Sequence, residues 1–313
     1  MSGSSPVSAA SGRALWLSTI SFTICFAVWT IFSIIGIRIK QELGLNETQF
    51  GLLVGTPILS GSLIRLILGV WTDQYGGRRI YTIVMLAAAI ATYLLTWAHT
   101  YPQFLIAALF VGIAGGAFAV GVAYVSRFYP MGKQGTALGI FGAGNVGAAV
   151  TKFLAPFVLV AYGWQAVAQI WALAIGAMAI IFWLFSEEDP VVLARRKNHE
   201  KPKSAWLELE SLKNVQVWRF SLYYFFVFGA FVALSLWLPQ YLINVYGVNI
   251  KTAGMVAAAF SFPASVFRAY GGHLSDRYGA RRVMYWTFLV SVACTFILSY
   301  PPADYIVRTT TGP

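Results

Sequence analysis

Long apolar runs separated by short polar stretches make up most of the sequence. Each run is long enough to cross the roughly 30 Å of membrane hydrocarbon, because an α-helix rises about 1.5 Å per residue. The strands of a membrane barrel would instead alternate apolar and polar residues over about ten positions. The pattern therefore predicts an all-α integral membrane protein with nine spanning helices, at 14–37, 49–71, 80–98, 103–127, 136–160, 164–185, 217–244, 250–272 and 283–300.

The composition excludes most classes of soluble protein. Of the 313 residues, 58% are hydrophobic and 11% are charged, whereas a soluble domain carries about 25% charged residues. A soluble enzyme, a nucleic-acid-binding module and a disordered protein are therefore excluded. The lipid bilayer is the expected environment of the chain.

The positive charges are distributed unevenly between the two sides of the membrane. If the N-terminus lies in the cytoplasm, 15 of the 22 Lys and Arg residues fall in cytoplasmic segments and 4 on the opposite side. Cytoplasmic loops of membrane proteins carry such an excess. The sequence therefore predicts a multi-pass protein of the cell (inner) membrane with a cytoplasmic N-terminus. The net charge of +11 reflects these loops and does not indicate a nucleic-acid partner.

An eleven-residue pattern occurs twice, once after the second span and once after the eighth. GVWTDQYGGRR at 69–79 and GHLSDRYGARR at 272–282 share six identical residues at an offset of 203. The repeat divides the chain into a six-helix half (1–185), a cytoplasmic linker (186–216) and a second half (217–313) that contains three helices. The linker carries charges of both signs. We expect it to be solvated, with a short surface helix at 204–213.

The repeated loop resembles the signature G-x-x-x-D-x-x-G-[GR]-R-[RK] of the major facilitator superfamily, and the resemblance extends over the whole chain. It implies two six-helix halves related by an axis along the membrane normal, each built from inverted three-helix repeats. Such a plan needs three helices after residue 300, so the chain is expected to be truncated after the ninth helix, with an incomplete second half.

The two loops combine an acidic residue with a pair of arginines. An acid between basic residues can form a charge latch to neighbouring helix ends, and such a latch could gate the transporter. The alternative is that the loops only anchor the topology. The candidate gating residues are Asp73, Arg78, Arg79, Asp276, Arg281 and Arg282.

Three cations lie inside the predicted spans: Arg65, Lys152 and Arg268. The offset of 203 also relates the two arginines. All 11 acidic residues lie in loops or at span ends. A charge inside a membrane costs at least about 2.5 kcal/mol and is usually functional. Three cations without a carboxylate therefore indicate an anionic substrate, and the arginine fork binds oxyanions in bidentate fashion. Alternatively, each arginine caps carbonyl groups or extends to the membrane edge.

The fifth span is rich in glycine, and Asn145 and Lys152 lie on one of its faces. Its GAGNVGAA run at 142–149 resembles the nitrate signature of the nitrate/nitrite porter family, and the AGGAF run at 114–118 fits the same family. The resemblance implies a nitrate site between the two embedded arginines, with nitrite as a second candidate substrate. It assigns substrate contacts to Arg65, Arg268, Asn145, Phe118, Tyr224 and Phe228, with Trp29 as the candidate in the first span.

Two modes of energy coupling would allow an anion to enter the cell. Symport with protons overcomes the cost of moving an anion against an inside-negative potential, which is about 2.3 kcal/mol per 100 mV, and exchange for internal nitrite avoids it. Apart from tyrosines, Lys152 is the embedded group that could change protonation. The chain resembles the shorter, proton-symporting subgroup of the family, so we expect alternating access with proton symport. A nitrate/nitrite antiporter, or a carrier for another small inorganic anion, is the alternative.

Other classes of function fit the sequence less well. A membrane enzyme would need a nucleophile–base pair or a metal set in the spans, and none is evident. A nitrate sensor without transport is a further alternative. No metal or other cofactor is expected, because no histidine has a partner at metal-ligand spacing. We expect a monomer.

Overall fold

The computed structural model describes residues 9–199 and 210–299. Within these ranges the chain is helical, without strands, and eight stretches are long and apolar enough to cross a membrane. Seven of them are the helices α1 (Ala9–Leu43), α2 (Glu47–Tyr75), α3 (Gly77–Trp97), α4 (Tyr101–Ser126), α7 (Val215–Tyr246), α8 (Ile250–Tyr278) and α9 (Ala280–Leu298).

The remaining stretch, Met131–Phe185, contains two helices. Its 55 residues are interrupted at Gly163, where φ is +85° and ψ is 170°. Since side chains disfavour this backbone conformation, glycine permits the chain to turn here. We call the part before Gly163 α5 and the part after it α6. The prediction of nine helices is therefore confirmed for the described residues.

Glycines also make the turns of the repeated loops. Gly76 follows α2 with φ +94°, and Gly279 follows α8 with φ +86°. Both are the glycine of the shared D-x-Y-G pattern. The repeat in the sequence is thus a repeat of backbone conformation.

Two helices change to the tighter 3-10 form where their glycines are concentrated. This occurs at Gly112–Gly116 within α4 and at Ala143–Val146 within α5. A Cβ atom on Gly115 would lie 2.4 Å from the Trp29 ring. The glycine run therefore lets α4 lie directly against α1, as small residues do between membrane helices.

The two halves meet along α5 and α8. A Cβ atom on Gly272 would lie 2.2 Å from the carbonyl oxygen of Gly135, and one on Gly254 would lie 2.3 Å from that of Lys152. The backbones thus approach closely near both ends of α8. In contrast, α9 has no buried residue within the described part of the chain.

The start of the linker is packed against the first half and is not fully solvated, in contrast to our expectation. Asp189 is fully buried, and its Oδ1 atom accepts a hydrogen bond of 2.9 Å from the Val191 backbone N–H. It begins a short surface helix, Pro190–Lys197. Of the surface helix expected at 204–213, residues 204–209 lie outside the described residues, and Glu210–Lys213 forms a 3-10 turn.

Candidate functional site

Arg65 lies on α2 within a ring of aromatic side chains. The centre of its guanidinium group is 5.2 Å from the Trp29 ring, 5.4 Å from Phe118 and 5.6 Å from Phe228. Its Nε donates a hydrogen bond of 3.1 Å to the carbonyl oxygen of Gly115. Its Nη2 is buried and has no hydrogen-bond partner among the described residues. Arg65 is thus a cation with an unused donor.

Arg268 approaches the same place from α8. Its guanidinium centre is 5.3 Å from the Phe228 ring and 5.8 Å from Phe231. With the amide turned so that both groups are satisfied, the side-chain oxygen of Asn145 accepts from Nη1 of Arg268 at 2.5 Å. Asn145 is fully buried. Within the described contacts, an amide therefore holds this arginine in place of a carboxylate.

Phe228 contacts both guanidinium groups and has a 6% exposed side chain. Its ring is nearly parallel to those of Tyr224, Phe118 and Trp29, at 4.8, 6.3 and 6.5 Å between centres. The Tyr224 hydroxyl is close enough to both arginines to interact with them. Ring faces attract cations, so the rings orient the two arginines without neutralising them.

The electrostatics of the site favour an anion. Among the described residues, neither Arg65 nor Arg268 forms an ion pair with a carboxylate. Two cations held by aromatic rings, a carbonyl group and an amide leave the positive charge available to a ligand. Such a site can bind an oxyanion through charge-assisted hydrogen bonds.

Trp29 contacts Arg65 through its ring face. Its indole N–H donates a hydrogen bond of 2.8 Å to the carbonyl oxygen of Pro57. The indole donor is therefore already used, and the ring face is the part that contacts Arg65.

Lys152 is fully buried, two helical turns from Asn145 on α5. Its Nζ donates a hydrogen bond of 2.9 Å to the Ser261 hydroxyl on α8. No carboxylate within the described ranges lies within ion-pair distance of this amine. The third embedded cation is thus also held by a neutral group.

The two repeated loops make different contacts. Asp73 pairs with Arg127 at the end of α4, which also pairs with Asp189. The arginines of the first loop contact other groups, since Arg78 donates to the carbonyl oxygen of Trp183 at 2.6 Å and Arg79 lies 3.9 Å from Glu188.

In the second loop, Asp276 reaches the other half. Its carboxylate accepts hydrogen bonds from the backbone N–H groups of Gly135 at 2.9 Å and Thr136 at 2.6 Å, where α5 begins. Neither Arg281 nor Arg282 pairs with Asp276, and Arg281 donates to the Tyr285 hydroxyl at 3.0 Å. The same motif therefore makes an ion pair within one half and a contact between the halves.

Several residues of the site were not predicted from the sequence. Phe231 follows Phe228 by one helical turn, so helical spacing could have indicated it. Arg127, Asp189 and Ser261 had no such signal, because their partners lie more than 50 residues away along the chain. No cluster of His, Cys, Asp or Glu in the described residues could hold a metal ion.

Comparisons with known proteins agree on one family. Residues 17–309 match the family model described as Major Facilitator Superfamily. The chain is 41% identical to the "Probable nitrate/nitrite antiporter NarK1" of Thermus thermophilus, over 96% of this chain and 69% of the relative. It is 32% identical to the "Probable nitrate transporter NarT" of Staphylococcus haemolyticus (strain JCSC1435), over 92% and 73%.

Solved structures show the same fold at low sequence identity. A bacterial homologue of the human lysosomal transporter Spinster, inward-facing and unoccupied, matches with a TM-score of 0.64 and 21% identity. The match covers 89% of this chain and 64% of that one, so the chain spans slightly less than two thirds of its length. The proton:xylose symporter XylE matches with a TM-score of 0.62 and 13% identity, over 87% and 70%.

Proposed function

Since the chain belongs to the major facilitator superfamily and, within it, to the nitrate/nitrite porter family, we propose that the protein is a nitrate transporter. Nitrate binds between Arg65 and Arg268, and the two halves rock about it in alternating access. The protein acts as a monomer in the inner membrane, with the N-terminus and the linker in the cytoplasm. It performs transport and no chemical conversion.

This proposal rests on the Nη2 atom of Arg65, which has no hydrogen-bond partner among the described residues. A buried donor on a charged group costs free energy when it lacks a hydrogen bond. An oxyanion would accept that hydrogen bond. Arg65 belongs to the first half and Arg268 to the second, and both contact Phe228. Without an anion the two cations repel each other. A bound anion removes this repulsion and allows the halves to close around it.

Proton symport is the coupling that we propose, with Lys152 as the residue that takes up the proton. In the interiors of the spanning helices that the structure describes, no carboxylate is available to carry it. The protonated Lys152 side chain would then compensate the negative charge of nitrate, and nitrate would compensate the positive charge of Lys152. Lys152→Gln is expected to remove the pH dependence of nitrate uptake, and an unchanged pH profile would exclude Lys152 from this role.

The loop residues complete the mechanism as a gate. Asp276 accepts hydrogen bonds from the first N–H groups of α5, where the helix dipole favours a negative charge. This contact closes the linker side of the molecule and breaks when that side opens. Asp73, Arg78 and Arg79 keep the first half rigid during the motion.

Nitrate/nitrite exchange is the second candidate. The relative from Thermus thermophilus is named as a probable antiporter, and the exchange of two like charges needs no proton carrier. Symport requires a proton gradient, whereas exchange requires nitrite on the inside. One uptake experiment can therefore separate the two modes.

The test is uptake of isotopically labelled nitrate into proteoliposomes by the full-length protein. Uptake driven by an imposed pH gradient supports symport, and uptake that requires internal nitrite supports exchange. Arg65→Lys and Arg268→Lys are expected to reduce uptake by about 100-fold, because lysine cannot form the bidentate contact. Arg38→Lys is the control, since Arg38 is exposed and pairs with Glu42. Absence of nitrate flux under both conditions would exclude nitrate as the substrate, and competition with other small anions would then identify it.

A further inference from the structure

Besides the two arginines, a second group of buried polar side chains joins the halves. Lys152 lies on α5 in the first half, Ser235 on α7 and Ser261 on α8 in the second half. All three side chains are fully buried. Lys152 Nζ is 2.9 Å from the Ser261 hydroxyl oxygen, which is 3.2 Å from that of Ser235.

The hydrogen bonds of Ser261 determine what it can do for the amine. Its hydroxyl donates its single hydrogen to the carbonyl oxygen of Ala257 at 3.0 Å. Both oxygen lone pairs are then free to accept, one from Lys152 and one from Ser235. The arrangement suits an ammonium group, which can only donate.

Other charged groups nearby do not replace this contact. On α8, Arg268 is held by Asn145 and Lys251 lies over the Phe157 ring. On α7, Tyr224 interacts with the two arginines. In the described part of the chain, the hydrogen bond to Ser261 is the one polar contact of the Lys152 amine.

The helices that carry Lys152 and Ser261 pack closely, backbone against backbone. Gly254 of α8 packs on the Lys152 backbone, where an added Cβ would be 2.3 Å from the carbonyl oxygen. Beside this backbone contact, the Lys152 amine reaches the second half through the Ser261 hydroxyl.

We propose that Ser261, supported by Ser235, is the positioning residue for proton coupling. It ties the amine of Lys152 to α7 and α8, so that gain of a proton on the first half strengthens its contact with the second half. This role rests on the proposed nitrate transport with Lys152 as the residue that takes up the proton.

The test compares Ser261→Ala with Ser265→Ala. Ser265 lies one turn further along α8, is equally buried, and donates to the Ser261 carbonyl oxygen at 2.7 Å. Nitrate binding to the purified protein is followed by tryptophan fluorescence from about pH 5 to pH 9, the range over which a perturbed amine can titrate. For the unmodified protein we expect tighter binding at low pH.

Removal of the Ser261 hydroxyl destabilises the ammonium form relative to the neutral amine. We therefore expect Ser261→Ala to move the midpoint of the pH dependence about one unit to lower pH. At the original midpoint, nitrate binding weakens by about fivefold, because moving the midpoint by about one pH unit lowers the protonated fraction from about one half to about one eleventh, as expected for a lost hydrogen bond to a charged group. Ser235→Ala should produce a smaller shift in the same direction. Ser265→Ala and the hydroxyl-retaining Ser261→Thr should keep the original midpoint.

The possible results separate this inference from the proposed function. If nitrate binds but Ser261→Ala and Ser235→Ala both keep the original midpoint, the role of Ser261 is wrong and nitrate binding stands. If the unmodified protein does not bind nitrate at any pH, both proposals are wrong. If Ser261→Ala does not fold, the midpoint of Ser235→Ala decides the question in the same way.

Discussion

Phe228 links the two candidate anion-binding arginines at the scale of single residues. Each guanidinium centre lies within 5.6 Å of its ring centre. An aromatic ring attracts a cation without pairing its charge, so it can hold two like charges near each other. A carboxylate in the same position would neutralise them and compete with an anionic substrate.

We predict that Phe228→Leu weakens nitrate binding by about tenfold or more. The change keeps an apolar side chain but removes two cation–π contacts, each worth about 2 kcal/mol when desolvated. Phe225→Leu on the same helix is the matched control, because Phe225 is 74% exposed. Binding is measured by fluorescence titration of the purified protein. Equal affinities for the two variants would show that Phe228 does not hold the arginines.

At the scale of helices, the glycine runs determine how closely the elements approach the site. In the 3-10 segment of α4, the carbonyl oxygen of Gly115 faces Arg65 and the Cα atom of Gly115 lies against Trp29. The tighter helix and the missing side chain act together. A local change in backbone form thus positions a functional side chain on another helix.

Gly115→Ala is predicted to lower the thermal midpoint of unfolding and to weaken nitrate binding. The added methyl group would displace the Trp29 indole, which is buried and hydrogen-bonded to Pro57, and overpacking of this kind costs about 1–3 kcal/mol. Gly55→Ala on α2 is the control, since a Cβ atom there meets nothing within 4 Å. Thermal unfolding in detergent, with and without nitrate, measures both effects. A normal midpoint and affinity for Gly115→Ala would refute this explanation of the glycine.

At the scale of the whole molecule, the two copies of one sequence motif make different contacts. Asp73 pairs with Arg127 inside the first half, whereas Asp276 joins the second half to the start of α5. The difference depends on which helix end lies opposite each loop. One loop forms an ion pair within a half, and the other forms hydrogen bonds between the halves.

We therefore predict different effects of two equivalent substitutions. Asp276→Asn should lengthen the distance between the ends of α5 and α8, because a neutral amide binds the helix N-terminus less strongly. Asp73→Asn should leave this distance unchanged and lower the midpoint of unfolding.

Spin labels at Met131→Cys and Tyr278→Cys report the distance in a background without Cys25 and Cys294. Both label positions are exposed, at 90% and 48%. A distance distribution that is the same in Asp276→Asn and the unmodified background would contradict the gating role.

The sequence predicted much of the fold because the responsible properties are local. Apolar length determined the helices, and the turn of the loops was encoded by Gly76 and Gly279. The three embedded cations identified the type of ligand, because a charge in hydrocarbon requires compensation wherever its partners lie. The resemblance to a family then selected the aromatic residues, and the structure brings Trp29, Phe118, Tyr224 and Phe228 together around the arginines.

The sequence by itself thus determined the helical membrane fold, the repeat and the positive charge of the candidate site. Tertiary structure alone decided which groups meet. It placed Phe228 between two arginines, Ser261 on Lys152, Arg127 on Asp73, and the start of the linker against the first half. These pairs lie far apart along the chain and on different helices. Their contacts depend on how the helices pack against each other, which no local pattern of apolar and polar residues encodes.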